Sequence, residues 1–301
     1  MGKVKVLTAR QAADLIKDGD TVTLSGFVAN GIAEALNAAA EERFLETGHP
    51  KDLTLFWVAG TGNKDGSHAD HYAHEGMVKK VIGGHFNFVP KICEMLSENK
   101  IEGYNVPQGA IAQMLRDNAA HKVGTISHVG IGTFADPRNG GGRLSEKTKE
   151  DIVKVIELEG QEQLFYPRIP LDVAFIRGTY ADELGNITLE KEMAPLDATS
   201  QAMAVHNNGG LVVVQVERVV KAGHLDPKLV KIPGIYVDAV VECPADDPKQ
   251  SQSINCTYDP AYAGNTQVPV SSLEPKKLDA KKIIGRRAAM ELKKNVVVNL
   301  G

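Results

Sequence analysis

Apolar residues along the chain keep switching between two rhythms. Runs with hardly a polar residue predict strands buried on both faces, as in a parallel sheet covered by helices. Residues 53–59 (Leu53-Thr54-Leu55-Phe56-Trp57-Val58-Ala59) and the β-branched run 211–220 are of this kind. Shorter strands are predicted at 21–24, 79–84, 101–106, 153–159, 171–177 and 236–242. Between them, apolar positions three and four apart predict helices over 8–17, 32–46, 90–99, 110–119 and 197–207. Thr8 caps the first, Gly48-His49-Pro50 stops the second and Asn208-Gly209 ends the last. Asp182-Glu183-Leu184-Gly185-Asn186 is a hairpin-type turn into Ile187-Thr188-Leu189. The alternation predicts an α/β fold, an α/β/α layered domain with a mostly parallel, mixed sheet.

The chemistry concentrates where strands empty into glycine turns. The strand at 21–24 runs into Ser25-Gly26-Phe27-Val28-Ala29-Asn30-Gly31, which opens the helix at 32–46. The strand at 53–59 runs into Gly60-Thr61-Gly62-Asn63. Glycines let backbone approach a ligand, and unpaired N–H groups at a helix start favour an anion or a developing oxyanion. The Gly-x4-Gly spacing lacks the Lys-Ser/Thr of a nucleotide-triphosphate loop and does not fit Gly-x-Gly-x-x-Gly. Taken alone it is as well read as a helix-capping turn. Two such turns close together suggest loops gathered at one sheet edge, where α/β folds hold ligands. Pro107-Gln108-Gly109 is a third loop-to-helix junction, where the Gln108 amide either meets a substrate oxygen or caps its own helix.

The start of the chain is echoed at its end. Shifted by 276 residues without a gap, Arg10, Ala12, Ala13, Lys17, Val22 and Leu24 recur as Arg286, Ala288, Ala289, Lys293, Val298 and Leu300. The pattern predicts one complete half followed by the opening helix and strand of a second; chance likeness of two short Ala/Lys-rich helices is the alternative. Residues 244–281, rich in Pro, Asp, Ser, Gln and Lys, then read as a crossing segment. The expected organisation is a domain over 1–243, a crossing segment over 244–281 packed on the domain surface, notably through residues 258–264, and the beginning of a second domain over 282–301.

Charge narrows the classes. Thirty-four basic against 38 acidic residues give a net charge of −4, so a broad nucleic-acid footprint is not expected. No run approaches the roughly 20 apolar residues that span a bilayer, and residues 1–6 lack the apolar core of a secretory signal. Cys93, Cys243 and Cys256 have no metal spacing and read as reduced thiols of a cytoplasmic protein. His68, His71 and His74 stand three apart in a predicted helix; a partly exposed face of ordinary histidines fits them better than a metal site, because each step turns about 60° away from alignment. Residues 124–142 read as a long loop, either a mobile lid or an inert excursion.

With these pieces placed, the chain resembles the family I coenzyme A transferases, in particular propionate/acetate CoA-transferases with both halves fused in one polypeptide. The matching stretches are Ser25 through Gly31, Val81-Ile82-Gly83-Gly84-His85, Val106-Pro107-Gln108-Gly109, Ala181-Asp182-Glu183-Leu184-Gly185-Asn186-Ile187-Thr188, Tyr258-Asp259-Pro260-Ala261-Tyr262-Ala263-Gly264, and Arg286-Arg287-Ala288-Ala289-Met290-Glu291-Leu292-Lys293 through Val298-Asn299-Leu300-Gly301. They span the whole chain in order.

The resemblance implies ping-pong transfer of CoA between a short-chain acyl-CoA and a free carboxylic acid through an enzyme glutamyl-CoA thioester. Coenzyme A is then a substrate, with no permanently bound cofactor and no metal. The family's nucleophilic glutamate falls beyond Gly301, and Glu34, Glu75, Glu183 and Glu291 do not match its motif. What this chain is expected to contribute is Gln108 as an oxyanion-hole donor, and Gly26, Phe27, Val28, Asn30, Gly31, Gly60, Gly62 and Asn63 around the small acid, with Phe27 and Val28 limiting its size. The expected partners are the missing carboxyl-terminal half and further copies in a homo-oligomer, without nucleic acid or membrane. Alone, the chain is expected to be inactive. A non-catalytic ligand-binding domain of the sugar-phosphate-isomerase-like type and an acyl-CoA hydrolase are the alternatives.

Overall fold

In the computed structural model, which describes residues 2–252 and 256–299, the near-continuous apolar runs become the centre of one large sheet. The chain falls into two units, Met1–Tyr258 and Asp259–Gly301, and the sheet belongs to the first. In chain order the strands are β1 (Lys5–Leu7), β2 (Thr21–Leu24), β3 (Leu53–Trp57), β4 (Val78–Gly83), β5 (Glu102–Asn105), β6 (Gly124–Ser127), β7 (Lys154–Leu158) and β8 (Gln161–Pro167). Then come β9 (Val173–Arg177), β10 (Tyr180–Asp182), β11 (Ile187–Thr188), β12 (Leu211–Val216), β13 (Arg218–Val220), β14 (Val230–Ile232) and β15 (Ala239–Glu242). The main sheet runs β1-β15-β12-β9-β2-β3-β4-β5, and every neighbouring pair in it is parallel. The antiparallel pairs sit in two small sheets, β6-β8-β7 and β13-β10-β11-β14.

Side-chain alternation along the strands explains the layering. Leu55 and Trp57 face one core with Val173, Phe175 and Val213, while Phe56 and Val58 face the other with Ala174, Ile176, Val212 and Val214. Helices α1 (Ala9–Ala13), α2 (Glu34–Thr47) and α3 (Pro90–Ser97) bury Ala12, Leu36 and Ile92 on the first face. Helices α4 (Gln108–Ala119) and α5 (Ala198–Asn207) bury Ile111, Leu115, Ala202 and Val205 on the second. Because both faces are covered, the central strands β3 and β9 are buried along their whole length, which is why β3 reads as a nearly unbroken apolar run. Phe175 is fully buried, and truncating such a ring to alanine costs about 3–5 kcal/mol.

From β2 the strand order marches one way through β3, β4 and β5; from its neighbour β9 it marches the other way through β12 and β15. The carboxyl ends of β2 and β9 therefore flank a topological switch point, the place where open α/β sheets leave a crevice.

Several expectations are corrected. The predicted strand at 211–220 is two strands in different sheets, broken at Glu217, whose amide donates to Thr179 O and whose buried carboxylate pairs with Lys191 Nζ at 2.7 Å. β8 was not legible, because its opening Gln161-Glu162-Gln163 is polar; it pairs with β7 across a two-residue turn in which Glu159 and Gly160 both take positive φ. Residues 124–142 begin as β6, and the rest is pinned. Asp136, fully buried, accepts from the amides of Gly132 and Arg138, while Arg138 bridges it to Glu162. The helix predicted over 8–17 is confined to α1, where Thr8 and Gln11 form a reciprocal capping box before the chain turns at Asp14.

The family of contacts in the first unit continues past residue 243. Gln250 is buried and accepts from Gln215 Nε2 at 2.6 Å, and Lys191 Nζ lies 5.6 Å from the centre of the Tyr258 ring. In the second unit, α6 (Ala280–Ala289) is capped by Asp279, whose carboxylate accepts from Lys282 N. Ile283, Ile284, Met290 and Leu292 there are exposed, as is Tyr262.

Candidate functional site

The two glycine turns expected near each other are hydrogen-bonded together at the carboxyl ends of β2 and β3. Val28 N donates to Gly60 O at 2.6 Å, and Gly62 N donates to Val28 O at 2.9 Å. Within the first turn, Phe27 and Asn30 exchange backbone hydrogen bonds at 2.9 Å, forming a tight loop that presents Phe27 outward. Ser25 Oγ closes the loop by donating to Gly31 O at 2.7 Å. Val28, a β-branched residue, is held at φ 53°, a conformation that costs on the order of 1–3 kcal/mol and persists only where its surroundings over-determine it.

The glycines earn their places by contact as much as by φ. Gly26 combines φ 126° with an Ile32 Cδ1 that would lie 2.0 Å from any Cβ. A Cβ on Gly62 would stand 2.2 Å from Phe88 O, and one on Gly84 would stand 2.2 Å from Val58 O and 3.1 Å from Gln108 Cβ. Gly84 thereby seats the start of α4 against the exit of β3. Gln108 is exposed there, in the first turn of the helix, where main-chain N–H groups lack helical partners. The residues named from sequence thus fall on the adjoining exits of β2, β3 and β5. Gln108 and Val58 both crowd Gly84, and two residues along the chain from Val58, Gly60 begins the turn that is hydrogen-bonded to Val28.

Beside these turns, at the switch point, lies a cavity of about 210 Å³. Its walls include Ala29, Ile32, Glu34, Asn63, His68 and Arg177. Of the residues singled out from sequence for the acid, only Asn63 lines it.

Arg177, at the end of β9, was not singled out from sequence. Its backbone amide donates to Ser25 Oγ at 3.2 Å, tying β9 to the first glycine turn. Its guanidinium, almost wholly buried, donates to the carbonyls of Ser251 and Gln250 at 2.5 and 2.9 Å and lies 3.0 Å from Glu192 Oε2. Burial pushes the Glu192 carboxyl up, and the Arg177 charge pulls it back only in part. Gln215, in β12, holds the same strap from the other side by donating to Lys249 O, while its Oε1 accepts from Ala35 N at the start of α2. A lone arginine at the end of an apolar strand was the signal available for this.

For the three histidines the helix is corrected: His68 and His71 lie in a short 3-10 turn (His68–Tyr72) with His74 beyond it. All three pair with carboxylates of α2, His68 buried and His71 and His74 still partly exposed. Glu34 Oε2 accepts from His68 N at 3.1 Å and pairs with His68 Nδ1 at 2.7 Å; Glu34 Oε1 pairs with His71 Nε2 at 2.8 Å. His71 Nδ1 pairs with Glu41, and Glu41 Oε1 pairs with His74 Nε2 at 2.6 Å. Among the described residues, no group of three or more such side chains is arranged to hold a metal ion. Burial works to raise the Glu34 carboxyl, but the hydrogen bonds and charges of His68 and His71 outweigh it and bring it down to about 2. For His71, burial works to lower the imidazole, and Glu34 and Glu41 together raise it above its ordinary value. Glu34 and Glu41, seven residues apart on α2, were the unread half of this ladder.

Residues 6–243 match the family model described as Coenzyme A transferase. The chain is 41% identical to Acetate CoA-transferase YdiF of Escherichia coli (strain K12), over 100% of this chain and 56% of that protein. It is also 41% identical to Caffeate CoA-transferase of Acetobacterium woodii, over 99% of this chain and 56% of that one. To Acetate CoA-transferase subunit alpha of Escherichia coli (strain K12) it is 26% identical, over 79% of this chain and 97% of the subunit. The crystal structure of acyl-CoA transferase YdiF apoenzyme from Escherichia coli O157:H7 superposes with a TM-score of 0.86 at 40% identity, covering 97% of this chain and 55% of that one. The chain thus spans about half the length of the two curated relatives at 41% identity. By its matched residues and its fold, the chain belongs to the family I coenzyme A transferases.

Proposed function

We propose that the chain is the amino-terminal part of a short-chain acyl-CoA:carboxylate CoA-transferase of the acetate/propionate type. Supporting this reading are the hydrogen bonds of Val28 to Gly60 and Gly62, and the close approach of Gly84 to Val58 O and to Gln108, at the carboxyl edge of the sheet. In the proposed cycle a glutamate supplied from beyond Gly301 attacks the thioester carbonyl, and the CoA thiolate leaves. The thiolate then attacks the glutamyl carbonyl of the anhydride, releasing the first acid as its carboxylate. An acceptor carboxylate runs the two steps in reverse. Each attack builds negative charge on a carbonyl oxygen, and the Gln108 amide, exposed at the start of α4, is the donor assigned to it. Phe27 and Val28, with Asn63 beyond, bound the acid.

The organisation follows the same reading: a domain over 1–243, a crossing segment over 244–281, and the opening of a second domain over 282–301. The internal repeat supports it. Ala12, Ala13 and Val22 are fully buried in the first unit, whereas their counterparts Ala288, Ala289 and Val298 in the second are exposed. The complete enzyme is read as a cytoplasmic homo-oligomer; no helix of the described residues is long and apolar enough to cross a membrane.

The test is reconstitution. The 301-residue chain is expected to show no exchange between propionyl-CoA and acetate until the carboxyl-terminal half is supplied, in cis or as a second polypeptide. A covalent CoA adduct on a side chain within these residues would refute the placement of the nucleophile. A thermal shift with sugar phosphates, and none with acetyl-CoA or short acids, would refute the transferase reading.

A further inference from the structure

The ladder of histidines and glutamates is not used by the transfer chemistry, yet it grips a loop that reaches the candidate site. Neutral imidazole carries one N–H, so an imidazole hydrogen-bonded to a carboxylate through each nitrogen is doubly protonated. His71 is so placed, with Glu34 on Nε2 and Glu41 on Nδ1. Glu34, fixed by that imidazolium, holds His68 through both its backbone amide and Nδ1. From His68 the connection runs back along the loop. Asp65 accepts from Ser67 N and Ser67 Oγ and, at 2.7 Å, from Asn63 Nδ2. The loop carries strain for the grip to hold, since Lys64 and His68 both sit at φ 63°.

We propose that His71 is a positioning residue, an imidazolium clamped between Glu34 and Glu41 that seats loop 60–68 on α2, so that its deprotonation frees the loop and weakens binding of the carboxylic acid beside Asn63. The mention of the acid rests on the transferase reading; the clamp does not. Loss of the proton would turn a nitrogen lone pair toward one of the two carboxylates, and the strained residues would have lost their tether.

The surrounding groups are the following. On the 3-10 turn, Asp70 is buried and engaged by the amides of Lys91 and Ile92 at the start of α3, and burial pushes its carboxyl up. Tyr72 donates to Asn37 of α2 at 3.2 Å. His74 closes the outer end on Glu41, against the Phe44 ring. Asp65, Arg177 and Lys249 share the cavity with Glu34 and His68. None of these others bonds to a His71 ring nitrogen, so the clamp proton belongs to the Glu34–His71–Glu41 set.

Nitrogen-15 histidine NMR on this chain reads the clamp directly. Both ring nitrogens of His71 are expected to be protonated at pH 6.5, its ordinary midpoint, losing one proton in a step above it. Across that step, hydrogen exchange of the 62–68 amides should rise about tenfold beyond the intrinsic base-catalysed increase. His71→Gln should exchange fast throughout and show no step; His74→Gln should keep it. A single neutral tautomer of His71 at pH 6.5, or a titration that leaves 62–68 unmoved, overturns the proposal. In the complete enzyme, KM for the acid should rise about tenfold over the same range while kcat holds. A flat KM overturns the positioning role, whereas absence of any CoA transfer with the NMR step intact overturns the transferase reading and upholds the clamp.

Discussion

Gly62 donates its backbone amide to the carbonyl of Val28 at 2.9 Å, so that the exits of β2 and β3 hold each other in register. A methyl group on Gly62 would stand 2.2 Å from Phe88 O, a backbone atom without freedom to withdraw. Gly62→Ala is expected to destabilise the fold by about 1–3 kcal/mol, the range for forced overpacking, as read by denaturant unfolding. An unchanged midpoint would show that the two loops are not rigidly coupled.

Val28 offers the converse. Replacing a β-branched residue at φ 53° with glycine removes backbone strain, so Val28→Gly should leave the melting temperature unchanged or raised despite the lost side chain. In the complete enzyme the same change should widen the range of acids accepted, measured as kcat/KM for a short acid against a longer one.

Gln108 is exposed and packs through its Cα and Cβ on Gly84, so its amide contributes little to stability. Gln108→Ala is expected to move folding stability by less than about 0.5 kcal/mol. In the reconstituted transferase it should lower kcat by about 10²-fold, the effect of removing one oxyanion donor. A normal kcat would remove Gln108 from the reacting oxygen.

Arg177 and Glu192 are both almost wholly buried, and each compensates the other's charge. Arg177→Met strands the carboxylate and releases the carbonyls of Gln250 and Ser251, so a loss of about 3–5 kcal/mol is expected. Adding Glu192→Gln to Arg177→Met should recover part of that loss, a rescue that simple loss of packing would not give.

The Glu34 carboxyl lies at about 2, below its ordinary 4.5, so its pairing stabilises the fold fully above 4.5 and is lost as pH falls from there toward 2. The contribution is on the order of 3 kcal/mol, and Glu34→Gln should flatten the acid limb of stability against pH. His71 has the opposite sign. Its imidazole is raised, so its contribution is complete below its ordinary 6.5 and is lost as pH climbs through the raised value. The Glu34→Gln profile should therefore converge on wild type as pH falls below 4.5, and the His71→Gln profile should converge on it as pH climbs above 6.5.

Much of this was legible along the chain because it depends on near neighbours in sequence. The unbroken apolar run at β3, the capping Thr8 before α1, the turn at 182–186 and the glycines after β2 and β3 are set by local sterics and by burial on two faces, both written in residue order. The ordered stretches around Ser25 to Gly31 and Pro107-Gln108-Gly109 carried the family with them. β8 escaped, because its polar opening becomes a strand only through pairing with β7. The run 211–220 hid its break, because Glu217 leaves the main sheet to meet Lys191, 26 residues away. No local rule pairs His71 with Glu34 and Glu41, Arg177 with Glu192 and the 250–251 carbonyls, or Val28 with Gly62. Sequence alone determined the elements that local sterics and two-sided burial specify; the parallel stacking of strands distant in the chain decided the rest and which polar groups meet, because a buried charge or N–H takes whatever partner the packing brings to it.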